Sequence, residues 1–353
     1  MPGDAFESNW PNSHSGRVFA PSVSSYRGQM SRTDVGEFPT DTLQSPSGLE
    51  IITPREVPLG GLRAMTVRRT LPNRQRTTIG PWCFLDHYGP DPVADTGGMQ
   101  VAPHPHTGLQ TVSWLFEGRI HHRDSTGSDA FVVPGELNLM TAGSGIQHSE
   151  VSTPDTTSLH GVQLWVALPD SDRHQTPHFD VRKSVTAEVD GARVQLITGE
   201  LSQVGLVDAP HYWPMVAAQI DLPAGASLEL EVNPEFEHGV LVDDGELSIG
   251  DEVIPAHHLA YLPTGLSELA LAAENKPSRV ILIGGKPFEE ELVMWWNFVG
   301  RDHDEIAQVR SQWQDGLAEG SPRFGHLEHM PALPAPEMPG VRLKPRAPGP
   351  KAR

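Results

Sequence analysis

His104 and His106 stand two residues apart in "APHPHTG", and His148 and Glu150 stand two apart in "GIQHSEV". Residues i and i+2 of a strand project from the same face, so each pair can present both donors to one ion. Pro103, Pro105 and Gly108 stiffen and shape the first approach. An isolated H-x-H is a weak signal. A later H-x-E, reached through an intervening hairpin, makes the four residues His104, His106, His148 and Glu150 a candidate centre. Imidazoles plus a carboxylate form a mixed N/O set suited to a divalent transition metal, Fe(II), Mn, Co, Ni, Cu or Zn, with coordination positions left for water, dioxygen or substrate.

The other histidines carry less. His121 and His122 are consecutive, so at most one can face a barrel interior, and structural or exposed roles are the expectation for both. His87, in "LDHYG", could support ligands, although a turn built on Asp86 and Gly89 explains the segment more simply. His257 and His258 lack both an H-x-H partner and an H-x-E sequel, so a metal-free second unit is expected. Cys83 sits between Trp82 and Phe84 as a buried, inert thiol. Trp295, Trp296, Phe298, Met99 and Met140 are assigned to cores rather than to a pocket.

These residues need a frame to position them. A chain of 353 residues suggests two domains, each large enough for its own core. The 26 Lys and Arg against 45 Asp and Glu leave a formal charge of −19, which repels polyanions and argues against direct nucleic-acid binding. One cysteine cannot form an internal disulfide, and neither a leader-like segment nor a long apolar run is evident. A cytoplasmic protein without a membrane anchor, monomeric for preference, is the expectation. Residues 1–48, rich in Ser, Pro and Gly, read as a disordered arm, and the Pro-rich residues 326–353 read as a mobile tail.

The middle reads as all-β. Short runs such as "LQTVSWLFEG", "HGVQLWVALP" and "RVILIGG" recur between Gly, Pro and Asp turns, the rhythm of a sandwich or barrel. "RDHDEIAQVRSQWQDG" is the clearest helix, with Ile306, Val309 and Trp313 on one face. A faint repeat relates residues 117–140 to residues 239–265 and fits two tandem barrels, 49–175 and 176–325.

The blocks "GPWCFLDHYGPD", "PHPHTGLQTVSWLFEGRIHHRDSTG", "PGELNLMTAGSGIQHSE", "MWWNFVGRDHDEI" and "PRFG" resemble, in order, the signatures of the pirin family. The resemblance spans Val57 to Gly325. It implies two cupin (double-stranded β-helix) barrels, the first holding one metal, usually described as iron, through His104, His106, His148 and Glu150. It also implies either a quercetin 2,3-dioxygenase taking an aromatic substrate and dioxygen, with Glu150 as the catalytic base, or a non-catalytic metal- or redox-sensing protein that acts through a protein partner. A metal-dependent isomerase or lyase of the broad cupin type is a weaker alternative. The chain departs from the family pattern where Arg is usual, at Thr107 and Ser144, and where Glu is usual, at Gln110. Those changes near the ion leave metal binding expected and put substrate identity and catalysis in question.

Overall fold

The structure is a computed structural model that describes residues 42–44, 49–59 and 65–349. The arm expected over residues 1–48 lies outside the described residues, apart from the short strand Thr42–Gln44. The chain forms two barrels, each a large sheet facing a four-stranded one. The first joins a seven-stranded sheet to the strands Gln100–His106, Ile146–Ser152, Ile120–Asp124 and Asp129–Val132. A nine-stranded sheet and a second small sheet make the other barrel.

The cut at 175/176 inferred from the repeat does not match the strand pairing. Glu50–Ile52 pairs with Leu259–Leu262 in the second barrel, whereas His178–Lys183 pairs with Glu136–Thr141 in the first. Each crossing strand covers a sheet edge that would otherwise expose its ladder. Edge pairing is a long-range choice that local punctuation does not encode.

The two large sheets pack face to face. Along Leu109–Glu117, Val112 and Trp114 point toward the second barrel and join a core with Ile281 and Ile283. Leu115, of opposite phase, packs in a separate cluster of the first barrel. Central strands buried on both faces read as near-continuous apolar runs, which explains "LQTVSWLF". Polar bonds stitch the interface: the indole N–H of Trp114 donates to Gln219 Oε1 at 2.9 Å, and that of Trp82 donates to the Gly284 carbonyl at 2.9 Å.

The expected C-terminal helix spans His303–Asp315 with Ile306, Val309 and Trp313 buried, and Asp302 caps it by accepting from the Glu305 N–H at 2.9 Å. It packs with Trp295, Phe298 and Phe324 in one cluster, so Trp295 and Phe298 are core residues as assigned, whereas Trp296 is half-buried and packs against the cluster. Cys83, Met99 and Met140 are buried as well. Burial pushes the Cys83 thiol up to about 12. Among the described residues, no helix is long and apolar enough to cross a membrane.

The Pro-rich segment is extended, as its composition dictates, yet docked rather than mobile over residues 326–349. The Leu333 N–H donates to the Pro103 carbonyl at 2.8 Å, the Trp313 indole donates to the Leu333 carbonyl at 2.9 Å, and Arg346 exchanges backbone bonds with Leu292. Buried Ala335 and Leu343 anchor it. Proline removes donors but leaves carbonyls and apolar surface, and these suffice for docking.

His87 and His160 lie on the neighbouring strands Trp82–Pro92 and Ser158–Ala167 and meet Asp243 of the second barrel. Both Nε2 atoms are 2.6 Å from Asp243 Oδ1, and the Arg68 Nε–H points at His87 Nδ1 from 3.4 Å. That donor assigns the His87 proton to Nε2, so the trio is a hydrogen-bonded clamp between barrels. Burial holds His87 below the ordinary imidazole value despite the carboxylate. Burial also works to raise Asp243, but the imidazole donors hold it well below the usual carboxylate range.

Unfolding therefore takes up protons on both groups in acid. The clamp's contribution is full near neutral pH and is lost as pH falls below about 6.5 for His87 and about 4 for Asp243. Asp243→Ala should cost ~3 kcal/mol in urea denaturation at pH 7. The same variant should flatten the acid limb below about pH 4, where Asp243 itself takes up its proton; an unchanged limb there would show that Asp243 does not titrate on unfolding.

Candidate metal centre

Gln100–His106 is the edge strand of its four-stranded sheet, the position where proline is tolerated because the missing N–H faces no partner. Pro103 and Pro105 alternate with His104 and His106, which are buried. Gly108 closes the strand with φ +69°, and a Cβ there would meet the Val299 carbonyl at 2.2 Å. Only glycine lets this turn sit against the strand Phe298–Gly300.

Ile146–Ser152 lies between the edge strand and Ile120–Asp124. His148 is opposite His104, but the register then shifts and Glu150 falls opposite Val101. On the other side pairing is unbroken, with His148 opposite Asp124 and Glu150 opposite His122. The inner face thus carries His104, His106, His148, Glu150, His122 and Asp124. Their exposures run from 1% at His148 to 7% at His104.

The imidazole centroids of His104 and His148 are 4.3 Å apart, and His106 is 5.0 Å from each. Ligand atoms of His104, His106 and His148 lie within 4.8 Å of one another, as do those of His122, His148 and Glu150. His148 belongs to both groups. The spacing of the sequence thus brings its three histidines together, with Glu150 joined to them through His148.

Hydrogen bonds set the tautomers. His104 Nδ1 donates to the Ala102 carbonyl at 2.9 Å, which leaves Nε2 with a free lone pair. Asp124 accepts from His122 Nε2 at 3.1 Å, so His122 Nδ1 is an acceptor and faces His148 Nδ1 at 3.4 Å. His148 Nε2 is then the lone-pair nitrogen, and it is buried without a partner, as is His106 Nδ1. Burial would raise Asp124, but donors from His122 and Thr126 hold it below its ordinary value.

Burial holds His104 down to about 4 and His106 and His148 well below the ordinary imidazole value. Neutral rings are the ligating form. Glu150 is raised by burial; among the described residues the hydrogen-bond donor to it is Ser113 Oγ at 3.3 Å, whose single proton is nearer Gln163 Oε1 at 2.9 Å. Tyr88, whose hydroxyl is buried without a partner, is pushed well up by burial and then by the Glu150 charge. Unpartnered buried nitrogens beside a poorly satisfied carboxylate fit a divalent cation.

The structure corrects the reading of the consecutive histidines. His121 is half-buried and pairs with Asp129 at 2.5 Å, whereas His122 enters the centre and stacks on Phe179 with centroids 4.3 Å apart. The signal was the alternation Ile120, His122, Asp124, with apolar Ile120 setting the inward phase. His87 supports no ligand of this centre; it belongs to the clamp.

Gln110 is not beside the centre either. It shares the phase of Val112 and Trp114, and its Nε2 donates to Thr141 Oγ1 at 2.8 Å and to the Pro210 carbonyl at 2.9 Å. Thr107 gives its carbonyl to Val299 N–H. At Ser144, Arg323 from "PRFG" donates to the carbonyl at 2.7 Å, so a guanidinium lies against this turn without an arginine at 144.

Tandem barrels with a histidine centre on the small sheet of the first define a bicupin. The family profile described as Pirin matches residues 63–166, and that described as Pirin C-terminal cupin domain matches residues 217–319. The chain belongs to the pirin family. A Pseudomonas aeruginosa protein named "Putative quercetin 2,3-dioxygenase" is 42% identical over 296 residues, covering 82% of this chain and 91% of its own. A Caulobacter vibrioides pirin-like protein is 34% identical over 283 residues, covering 77% and 94%. The solved structure of an Acinetobacter baumannii quercetin 2,3-dioxygenase aligns with a TM-score of 0.76 at 36% identity, covering 84% of this chain and 98% of its own.

Gln110→Glu, the residue usual in the family, should cost about 2 kcal/mol here, because a carboxylate would set an acceptor against the Pro210 carbonyl. Metal content should be unchanged. Thermal melts with elemental analysis check both; loss of metal would place Gln110 in the centre after all.

Proposed function

We propose that the chain is a metal-dependent dioxygenase acting on a flavonol or a related enediol, with the ion held by His104, His106, His148 and Glu150. The observation that carries this reading is the tautomer arrangement: His104 and His148 each have Nδ1 engaged, which leaves Nε2 of each ring with its lone pair, and Glu150 adjoins the group through His148. Fe(II) is the leading ion, and the N/O donor set also suits Mn, Co, Ni, Cu and Zn. The names carried by the relatives at 42% and 36% identity support a quercetin-type substrate.

An ion bound here supplies Lewis acidity that lowers the pKa of a coordinated hydroxyl. Glu150, raised by burial, is the group suited to take that proton, and the neutral imidazoles hold position. Phe179 and Trp165 pack on His122 and His106 and shield those rings. The low exposure of the donors favours a second reading, a metal- or redox-sensing interaction protein. The single buried cysteine suits a reducing cytosol under either reading.

Metal-free protein reconstituted anaerobically with Fe(II), Mn(II), Cu(II) or Ni(II) should bleach quercetin and consume oxygen on admission of air in at least one form. Glu150→Gln should lower that rate by roughly 10²–10⁴-fold. If no form reacts, the dioxygenase reading is lost and the interaction reading remains. Elemental analysis tests the ligands separately: a His104→Ala, His148→Ala double variant that keeps its metal would refute them. His122→Phe preserves the stack on Phe179 but frees the His148 tautomer, and should weaken metal retention against a chelator by about 10–100-fold.

A further inference from the structure

The second barrel contains a cavity of about 940 Å³, and no residue of the histidine centre lines it. Tyr212, Trp213 and Phe236 contribute aromatic walls, Glu200, Glu231 and Glu268 contribute carboxylates, and among the described residues no Lys or Arg lines it. Glu231 and Glu268 are directly opposite each other on antiparallel strands, an arrangement that costs stability when no cation intervenes. Ser202 Oγ donates to Glu231 Oε2 at 2.6 Å, which pins one carboxylate at the mouth.

His238 supplies an independent observation. It lines the same cavity, is 1% exposed, and has no hydrogen-bond partner at either ring nitrogen. Its ring occupies space left by Gly284, where a Cβ would come within 2.7 Å of it. Leaving both nitrogens unpaired costs free energy that a bound donor would recover. Burial holds the ring at about 4, so it is neutral and keeps an acceptor lone pair. No three donors of this cavity gather within 4.8 Å among the described residues, which disfavours a bare metal ion.

We propose that this cavity binds a small organic ammonium ion carrying an aromatic or alkyl body. Ring faces and carboxylates both attract such a cation, and the chain's formal charge of −19 raises its local concentration. The apolar body packs on Trp213 and Phe236, and the ammonium group relieves the Glu231 and Glu268 repulsion. The site does not depend on the metal centre.

Calorimetric titration of the full chain with benzylammonium, benzyl alcohol and benzoate compares one ring with positive, neutral and negative heads. Benzylammonium should bind about tenfold or more tighter than benzyl alcohol, and benzoate should not bind. Glu231→Gln with Glu268→Gln changes exposed residues, so the fold should persist while the preference for charge disappears. His104→Ala with His148→Ala should leave benzylammonium binding intact. Equal binding of the three probes, no binding by any, or loss of binding only in the histidine double variant would overturn the proposal.

Discussion

The first barrel must bury four imidazoles and two carboxylates on one sheet face without leaving them charged and unpaired. Desolvation sets the terms: a buried cationic imidazole is too costly, so His104, His106 and His148 are neutral and each needs a defined donor and acceptor. Ala102 and the chain from Asp124 through His122 settle the protons of His104 and His148. Asp124 is itself held by Thr126 and Ser128 in the next turn. A tight turn outside the small sheet thus determines which nitrogen of His148 faces inward.

That centre depends on the second barrel as well. The strand Leu109–Glu117 carries Ser113 toward Glu150 on one face and Trp114 toward Gln219 on the other. Any shift at the barrel interface moves both faces, because a pleated strand cannot slide one set of side chains without the other. The crossing strands Glu50–Ile52 and His178–Lys183 and the His87, Asp243, His160 clamp resist such a shift. The second barrel positions the first, even though none of its residues belongs to the histidine centre.

How far the sequence could be read follows from the range of each signal. H-x-H and H-x-E are local, since period-2 alternation fixes a common face, and the helix was equally local through Ile306, Val309 and Trp313. Gln110 was misplaced because its distance along the chain from His106 suggested proximity, whereas its phase relative to Val112 turned it to the interface. His122 was undervalued because adjacency to His121 was weighed without the phase supplied by Ile120. The docked tail and the strand Glu50–Ile52 depend on pairings across hundreds of residues, such as Arg346 with the Asn73 carbonyl. Composition sees proline there but not the partner.

The two barrels show what a centre requires beyond the fold. Both have a large sheet facing a four-stranded one, yet the second is filled by Val194, Leu196, Val240, Leu282 and their neighbours. The first combines an edge strand of alternating Pro and His, a register shift that displaces Glu150, and a carboxylate at the end of the neighbouring strand that fixes tautomers. His238 has none of these around it: it faces Gly284 across the ladder and no ring or carboxylate satisfies its nitrogens. A lone neutral imidazole favours a hydrogen-bonding guest over a bare metal ion, because a metal ion requires several donors to offset its lost hydration. Duplicated architecture therefore permits divergent chemistry, with the difference lying in which polar side chains are given partners.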